Sequence, residues 1–526
     1  MSRQFHRAMA LALSVGAALA SPQGFAEDAP PPLSFSVERY QVEGDNPLEP
    51  AVTEGILTPY TGIHEGLAGI DAASQALEVE LQRRGYAFHR VIVPPQRAEG
   101  GVFTLRVLAF KLRDVQVAGN RFFGDDNILA SMPALVPGKV PDNLAISRSA
   151  DLANQHPSKR VGVFLKESDT PGFIDARIET RDVRPWQIFA SLSNTGSEET
   201  GHNRLAVGYQ HSNLFDRDHA LTLSYTTSPG HAGEVKQRGV HYRIPIYEQH
   251  LALSLFYTDS EVDQGRIGQF FDVSGSGRFK GADLEYTLNP QSNYRHKVRA
   301  QIQDKLFEDD SLLTFQGVPL TIGSDVRTRP VSLSYIGRWD GAPWNGGFDV
   351  GYHRNLQSGN HNDDRDYQAV TNGFGHSSWD ALRVTADIER QLPSDWLFRG
   401  RLAAQYANET LVSGEQFGLG GATNVRGFEE REISGDNGVR VNLEAWAPEL
   451  SSNLEGLLFL DHGWLERERT VAGVKGTESV SSAGVGLRWH WKTRLTLAVD
   501  AAKVLNGAQE TDRYDGRLHF NLFARF

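Results

Sequence analysis

The sequence predicts a transmembrane β-barrel preceded by two small α+β modules. Three observations predict it: period-two alternation fills the chain from Trp186 to Phe526, a leader directs the chain into the cell envelope, and no later apolar run is long enough for a membrane helix. The chain has 526 residues with 52 Gly, 27 Phe, 15 Tyr, 9 Trp, 3 Met and no Cys, which favours β structure with many turns over helical bundles. Net charge is −12, so the basic footprint of a nucleic-acid-binding protein is missing and nucleic acid is excluded as the main partner. Without cysteine there is no disulfide framework, thiolate metal site or cysteine nucleophile. The mean hydropathy of −0.39 looks soluble. Alternation accounts for it, because half of every barrel strand faces water.

Residues 1-26 read as a secretory signal peptide. Arg3, His6 and Arg7 precede a 13-residue apolar run from Ala8 to Ala20, too short to span a membrane, and Gly24-Phe25-Ala26 supplies a small-residue cleavage site. Residues 27-34 open with EDAPPP, whose prolines hold an extended linker. Residues 35-110 form the first module: FSVERYQVEG (Phe35 to Gly44) is a strand, Ala72 to Arg84 is a helix with Leu77 and Leu81 on one face, and Phe88 to Val93 and Val102 to Leu108 are strands. Residues 111-182 form a second module, from the strand opening LRDVQVAGNRFF through helices near Asp125 to Met132 and Leu144 to Ala153 to the strands VGVFLKES and FIDARIET.

Residues 186-526 carry the barrel. Alternating runs include RLAVGYQ (Arg204 to Gln210), ALTLSY (Ala220 to Tyr225), RLAAQYA (Arg401 to Ala407) and GVGLRWHW (Gly484 to Trp491), separated by Gly, Asn, Asp and Ser clusters. At roughly 10 residues per strand plus connections, about 14 to 18 strands fit. A soluble β-sandwich or propeller alternates too, but the last strand, RLHFNLFARF, sets Leu518, Phe520, Leu522, Ala524 and Phe526 on one face. Such a strand can close a barrel, and Phe526 is its closing residue. Tyr225, Phe256, Tyr257, Trp339, Trp489 and Trp491 are candidates for interfacial girdles.

A 27-residue segment, 412-438, holds seven glycines and is too long to be idle in a compact structure. At its centre, Val425-Arg426-Gly427-Phe428 projects a guanidinium and an aromatic ring from one tight turn. Downstream, in GLLFLDHGW, alternation puts Phe459, Asp461 and Gly463 on the lumen face. A carboxylate there is costly unless paired, and an inward-folded loop bearing Arg426 supplies a bidentate partner.

VRGF, followed by SGDNG (Ser434 to Gly438), resembles the lumen-loop signature of the outer-membrane superfamily that secretes or inserts β-rich proteins, and Phe459-x-Asp461-x-Gly463 resembles its barrel-wall motif. Val93 to Phe123 (VPPQRAEGGVFTLRVLAFKLRDVQVAGNRFF) is similar to the junction of two POTRA domains in two-partner secretion transporters of the TpsB type, related to haemolysin and haemagglutinin exporters. The resemblance implies two periplasmic POTRA domains, a barrel of about 16 strands in the outer membrane of a Gram-negative bacterium, and no cofactor. Its implied partners are one large β-helical protein exported unfolded, outer-membrane lipid, and the barrel assembly machinery. Members often carry a pore-plugging N-terminal helix, and the short stretch before the first strand here is a departure.

No G-x-x-x-x-G-K-[ST], H-E-x-x-H or G-x-S-x-G occurs, so neither an ATP site nor an enzyme is expected. Glu429, Glu430 and Glu432 read as a solvated charge run, and HNDDRD (His361 to Asp366) as an exposed loop tip. The leading expectation is a protein exporter. An insertase of the same superfamily, a passive porin and a soluble periplasmic enzyme or lectin are the rivals.

Overall fold

The protein is described here from a computed structural model that covers residues 34–526, apart from 98–99, 198–199, 262–263, 268–270, 275, 309–311, 316–317 and 322–323. The signal peptide, most of the linker and the stretch where a plug helix would sit lie outside the described residues. In the first module, Arg39–Gly44 pairs in parallel with Val102–Ala109, whose other neighbour is His89–Ile92, and Ser34–Val37 pairs with Gly62–Glu65. The helix Ala68–Arg83 buries Ile70, Leu77 and Leu81 in one core with Val37, Phe103, Leu105 and Val107. A second helix, Pro50–Leu57, escaped the pattern reading; it starts on a proline, whose missing N–H costs nothing at a helix start.

The second module repeats the arrangement. Lys111–Ala118 runs parallel to Phe173–Asp182, which pairs antiparallel with Lys159–Glu167. Its helices are Asp125–Ala130 and Asn143–Ala153, the latter capped by the Asp142 carboxylate accepting from the Leu144 amide at 2.8 Å. Leu112, Phe123, Ile128, Met132 and Ile178 fill the core.

From Trp186 the chain winds into a closed barrel of sixteen antiparallel strands, the eighth interrupted at Arg329 so that Val326–Thr328 and Pro330–Gly341 both pair with Tyr294–Phe307. The last strand, Gly516–Arg525, closes on the first, Trp186–Ser193, with Leu522 opposite Leu192 and Ala524 opposite Ala190. The Phe526 amide donates to the Ile188 carbonyl at 2.9 Å and the Ile188 amide returns the bond at 3.2 Å. No sheet edge is left for lipid, where each orphaned backbone group would cost several kcal/mol. The outward face is apolar: Leu205, Val207 and Tyr209 are exposed while Arg204, Ala206 and Gln210 turn inward and are buried. Tyr225, Tyr257, Trp489 and Trp491 are exposed on that outer surface, whereas Phe256 turns the other way and packs over Gly281.

A buried polar cluster fastens the second module to the base of the barrel. Lys159 Nζ donates to Asp218 Oδ2 (2.5 Å) and to Asn127 Oδ1 (2.8 Å), and the Tyr247 hydroxyl donates to the same Asp218 oxygen (2.5 Å). Asn127 Nδ2 donates to Asp218 Oδ1 at 3.0 Å. Lys159, Asn127 and His156 belong to the module; Asp218 and Tyr247 sit in barrel turns. Both charges of the pair are fully buried, so removing either strands the other at a cost of about 3–5 kcal/mol. His156 Nε2 bonds the Ser212 carbonyl (2.6 Å), 3.8 Å from Asp218, with Lys159 and Arg160 also near.

Burial pushes the His156 imidazole below its ordinary 6.5, and Asp218 only partly opposes this. A depressed folded value means that docking is fully favoured above 6.5 and weakens as the pH falls below it. With spin labels on cysteines introduced at Lys166 and Glu248, acidification from neutral pH should broaden the distance distribution in the parent chain. It should leave that of His156→Asn unchanged.

Candidate functional site

The segment between the strands Leu397–Ala407 and Asn437–Trp446 folds into the lumen. It has structure of its own: Phe417–Leu419 pairs with Ile433–Gly435 as a small hairpin, and the turn between them carries Val425 to Phe428. Val425 and Phe428 are buried with Leu419 and Ile433 of the hairpin and Leu465, Val480 and Val504 of the wall. Two glycines permit this approach. Gly427 has φ +100°, and a Cβ there would lie 3.2 Å from Val504 Cγ2. A Cβ on Gly463 would meet the Leu419 side chain at 2.6 Å, so the wall is notched where the hairpin lies against it.

Arg426 occupies the centre. Its Nε donates to Asp461 Oδ2 at 2.7 Å and its Nη2 to Asp461 Oδ1 at 2.8 Å, a bidentate fork, and its backbone amide adds a third bond at 3.1 Å. The guanidinium stacks 3.5 Å from the centroid of Phe459. Asp461 and Phe459 lie two apart on Leu454–Glu466, where alternation aims both inward while Leu458, Leu460 and Trp464 are exposed outside. The structure therefore brings together Arg426, Phe459 and Asp461, sets Val425, Gly427, Phe428 and Gly463 around them, and leaves Phe526 at the barrel seam.

Several partners escaped the sequence reading. Arg426 Nη1 also faces Glu444 at 3.1 Å and Asp500 at 3.8 Å, and Asn442 donates to Asp461 Oδ1 at 2.8 Å. The Gly427 amide donates to His519 Nε2 at 2.9 Å. Arg488 forks onto Asp500, and Arg399 and Arg401 approach Glu444, so the three carboxylates share several cations. These groups come from five further strands, and alternation gives only their inward aspect, not their convergence. Glu415, fully buried, ties the other arm of the loop to a different part of the wall: it receives Lys305 (3.0 Å), Arg383 (2.9 Å) and the Thr328 hydroxyl (2.7 Å).

Two local readings are corrected. The run Glu429, Glu430 and Glu432 is part of the loop's wiring: Glu429 pairs with Arg517 at 2.8 Å, Glu430 accepts the Ala422 amide at 2.8 Å, and Glu432 accepts the Thr511 amide and hydroxyl. His361 to Asp366 is largely exposed, as expected, but it is the capped start of a helix and not a plain loop tip. Asp363 caps the helix Asp364–Val370 with a reciprocal capping box, and Asn362 is buried against Asn355 and Tyr367.

With this geometry in place, comparison with known proteins decides the lineage. The profile described as haemolysin secretion/activation protein ShlB/FhaC/HecB matches residues 172–489, and that of the ShlB-type POTRA domain matches residues 35–109. The chain belongs to the haemolysin secretion/activation family. Among relatives of this family member, the heme/hemopexin transporter protein HuxB of Haemophilus influenzae is 23% identical over 509 residues, covering 92% of this chain and 86% of its own. The outer membrane transporter CdiB of Escherichia coli O6:K15:H31 is 23% identical over 476 residues, covering 86% of this chain and 76% of its own. A solved structure of CdiB from Escherichia coli superposes with a TM-score of 0.76 at 17% identity, covering 96% of this chain and 93% of that one, a likeness of fold. The family member is accordingly an outer-membrane β-barrel of the two-partner secretion type with periplasmic POTRA domains.

Gly427→Ala should loosen the loop by roughly 1–3 kcal/mol, since the position combines a left-handed backbone with a close wall contact. Single-channel recording of the reconstituted chain is expected to show a raised open probability without change in barrel heat-modifiability.

Proposed function

We propose that this chain exports one large, β-helical protein across the outer membrane in an unfolded state, recognising it through its POTRA domains and using no nucleotide. The observation that carries the reading is a lumen loop fastened at both arms, by Arg426 to Asp461 and by Glu415 to Lys305 and Arg383. A fixed filter needs no such lock, whereas a transporter that must pass a chain needs a blockage that can be released. In this reading Val425, Arg426, Gly427 and Phe428 are the gate, Phe459, Asp461 and Gly463 its seat, and the strand ending at Phe526 keeps the wall closed while the gate moves. The named relatives are transporters, which agrees.

Client recognition follows from sheet physics. Among the described residues each POTRA sheet ends in strands with one hydrogen-bonded neighbour, Arg39–Gly44 and His89–Ile92 in the first, Lys111–Ala118 and Lys159–Glu167 in the second. An extended client can add there, with backbone bonds for affinity and side-chain pockets for register. Folding of the client outside the cell then biases transit. The chain's own insertion falls to the barrel assembly machinery.

Deleting the gene and comparing culture supernatants tests the reading. Loss of one large β-repeat protein is expected. Loss of many barrel proteins would instead indicate an insertase, and an unchanged supernatant a porin; either overturns it.

A further inference from the structure

In a chain of net charge −12, the cavity that leads from the second POTRA domain up to the lumen loop carries the opposite sign. The cavity measures ≈1960 Å³. Its described lining holds eleven Lys or Arg and three Asp or Glu, an excess of eight cationic side chains. Some of these cations have carboxylates: Arg243 pairs with Glu285, and Lys305 and Arg383 with Glu415. Five at the POTRA end do not. Arg121, Arg184, Lys492, Arg494 and Arg525 are exposed, and none lies within ion-pair distance of a carboxylate among the described residues.

The five gather where the barrel seam meets the second POTRA domain. Arg525 donates from Nε to the Thr493 carbonyl (2.7 Å) and from its amide to the Arg494 carbonyl (2.8 Å), which joins the last strand to the Lys492–Arg494 turn. Phe526 bonds Ile188 across the seam, and the Arg184 guanidinium stacks 4.7 Å from the Trp186 ring beside it. Arg121 enters from the POTRA side, its amide held by Asp182. That acid is already committed, accepting from the amides of Arg121, Phe122 and Phe123. Such a concentration of uncompensated like charge raises the local potential and destabilises the empty chamber, a cost that an anionic occupant removes.

We propose that this vestibule receives an acidic, extended segment of polypeptide, its carboxylates taken by the arginine forks and its apolar side chains by Phe122, Trp186 and Phe526, which line the same space. The proposal deepens the exporter reading and rests on it for the identity of the polypeptide as the exported client. Guanidinium groups suit it because their planar donors grip carboxylates two at a time, while the backbone bonds of Arg525 and Arg121 hold their positions whatever the side chains do.

Full-length protein in neutral detergent, titrated into a fluorescent Glu/Ser/Gly peptide and its Lys/Ser/Gly counterpart, tests it by anisotropy. The acidic peptide should bind with an affinity that falls steeply with salt, and the basic one should not bind. Arg184→Gln/Arg494→Gln/Arg525→Gln should weaken the acidic peptide roughly tenfold or more, with barrel heat-modifiability confirming the fold. Equal binding of both peptides, or an acidic peptide indifferent to the triple change, overturns the proposal. So does a triple variant that keeps the peptide but loses anionic phospholipid nanodiscs, which would assign the cations to headgroups. Acidic-peptide binding beside an unchanged deletion supernatant would sink the exporter reading while leaving the chamber; the reverse pattern would sink the chamber alone.

Discussion

The structure turns on one buried cation. Arg426 is carried into the barrel on a loop, has almost no access to water, and is matched by a bidentate Asp461, by Glu444 and by the more distant Asp500. A guanidinium in that position is tolerable only while these partners stay in place, and the carboxylates are equally dependent on it. The pair therefore couples two things: the inward fold of the loop and the register of Leu454–Glu466. The Glu415 cluster repeats the logic on the strands Tyr294–Phe307 and Asp380–Gln391, six and three places from Leu454–Glu466 in strand order. On the exporter reading proposed above, a loop pinned at two places acts as a crossbar, and its release has to break buried ion pairs whose cost an entering client would offset.

Polarity is distributed along the same axis. The outer surface is apolar, the middle of the lumen is wired with paired charges, and the POTRA end of the lumen holds cations without an ion-pair partner among the described residues. The buried Lys159–Asp218 contact fixes the second POTRA domain at that end, so the docking cluster, the cationic vestibule and the loop form a continuous series from periplasm to lumen. In Lys159 burial lowers the ammonium's proton affinity and Asp218 opposes it, which makes the docking contact dependent on its carboxylate partner.

Much of this was legible in the sequence because period two has only two faces. Once GLLFLDHGW is placed on a strand, Phe459, Asp461 and Gly463 have to share a side, and a buried aspartate calls for a cation that an inward loop bearing Arg426 can bring. What escaped was whatever depends on distant strands meeting: Glu444, Asp500 and His519 look like any other inward residues until the barrel is closed. Strands such as Tyr294–Phe307 (YRHKVRAQIQDKLF) are hidden by their charge, since lumen side chains like Lys297 and Arg299 find their partners on other strands, Glu285 for both and Asp349 for Arg299 as well. Strand ends are hard to place for a related reason: Thr477–Trp491 begins with polar TESVSS, beyond the apolar band that alternation detects. The glutamates after Phe428 look solvated in the sequence because their partners Arg517 and Thr511 lie some eighty residues away.

Because Arg426 faces three carboxylates, exchanging it with Asp461 would set a new aspartate against Glu444 and Asp500, so neutral changes give the cleaner test. A double-mutant cycle of Arg426→Ala and Asp461→Ala, read as the closed-to-open equilibrium of the reconstituted channel, addresses the central claim directly. The account predicts strong coupling, about 0.5–3 kcal/mol, with the double variant opening little more than either single one. Additive effects of the two changes would contradict it.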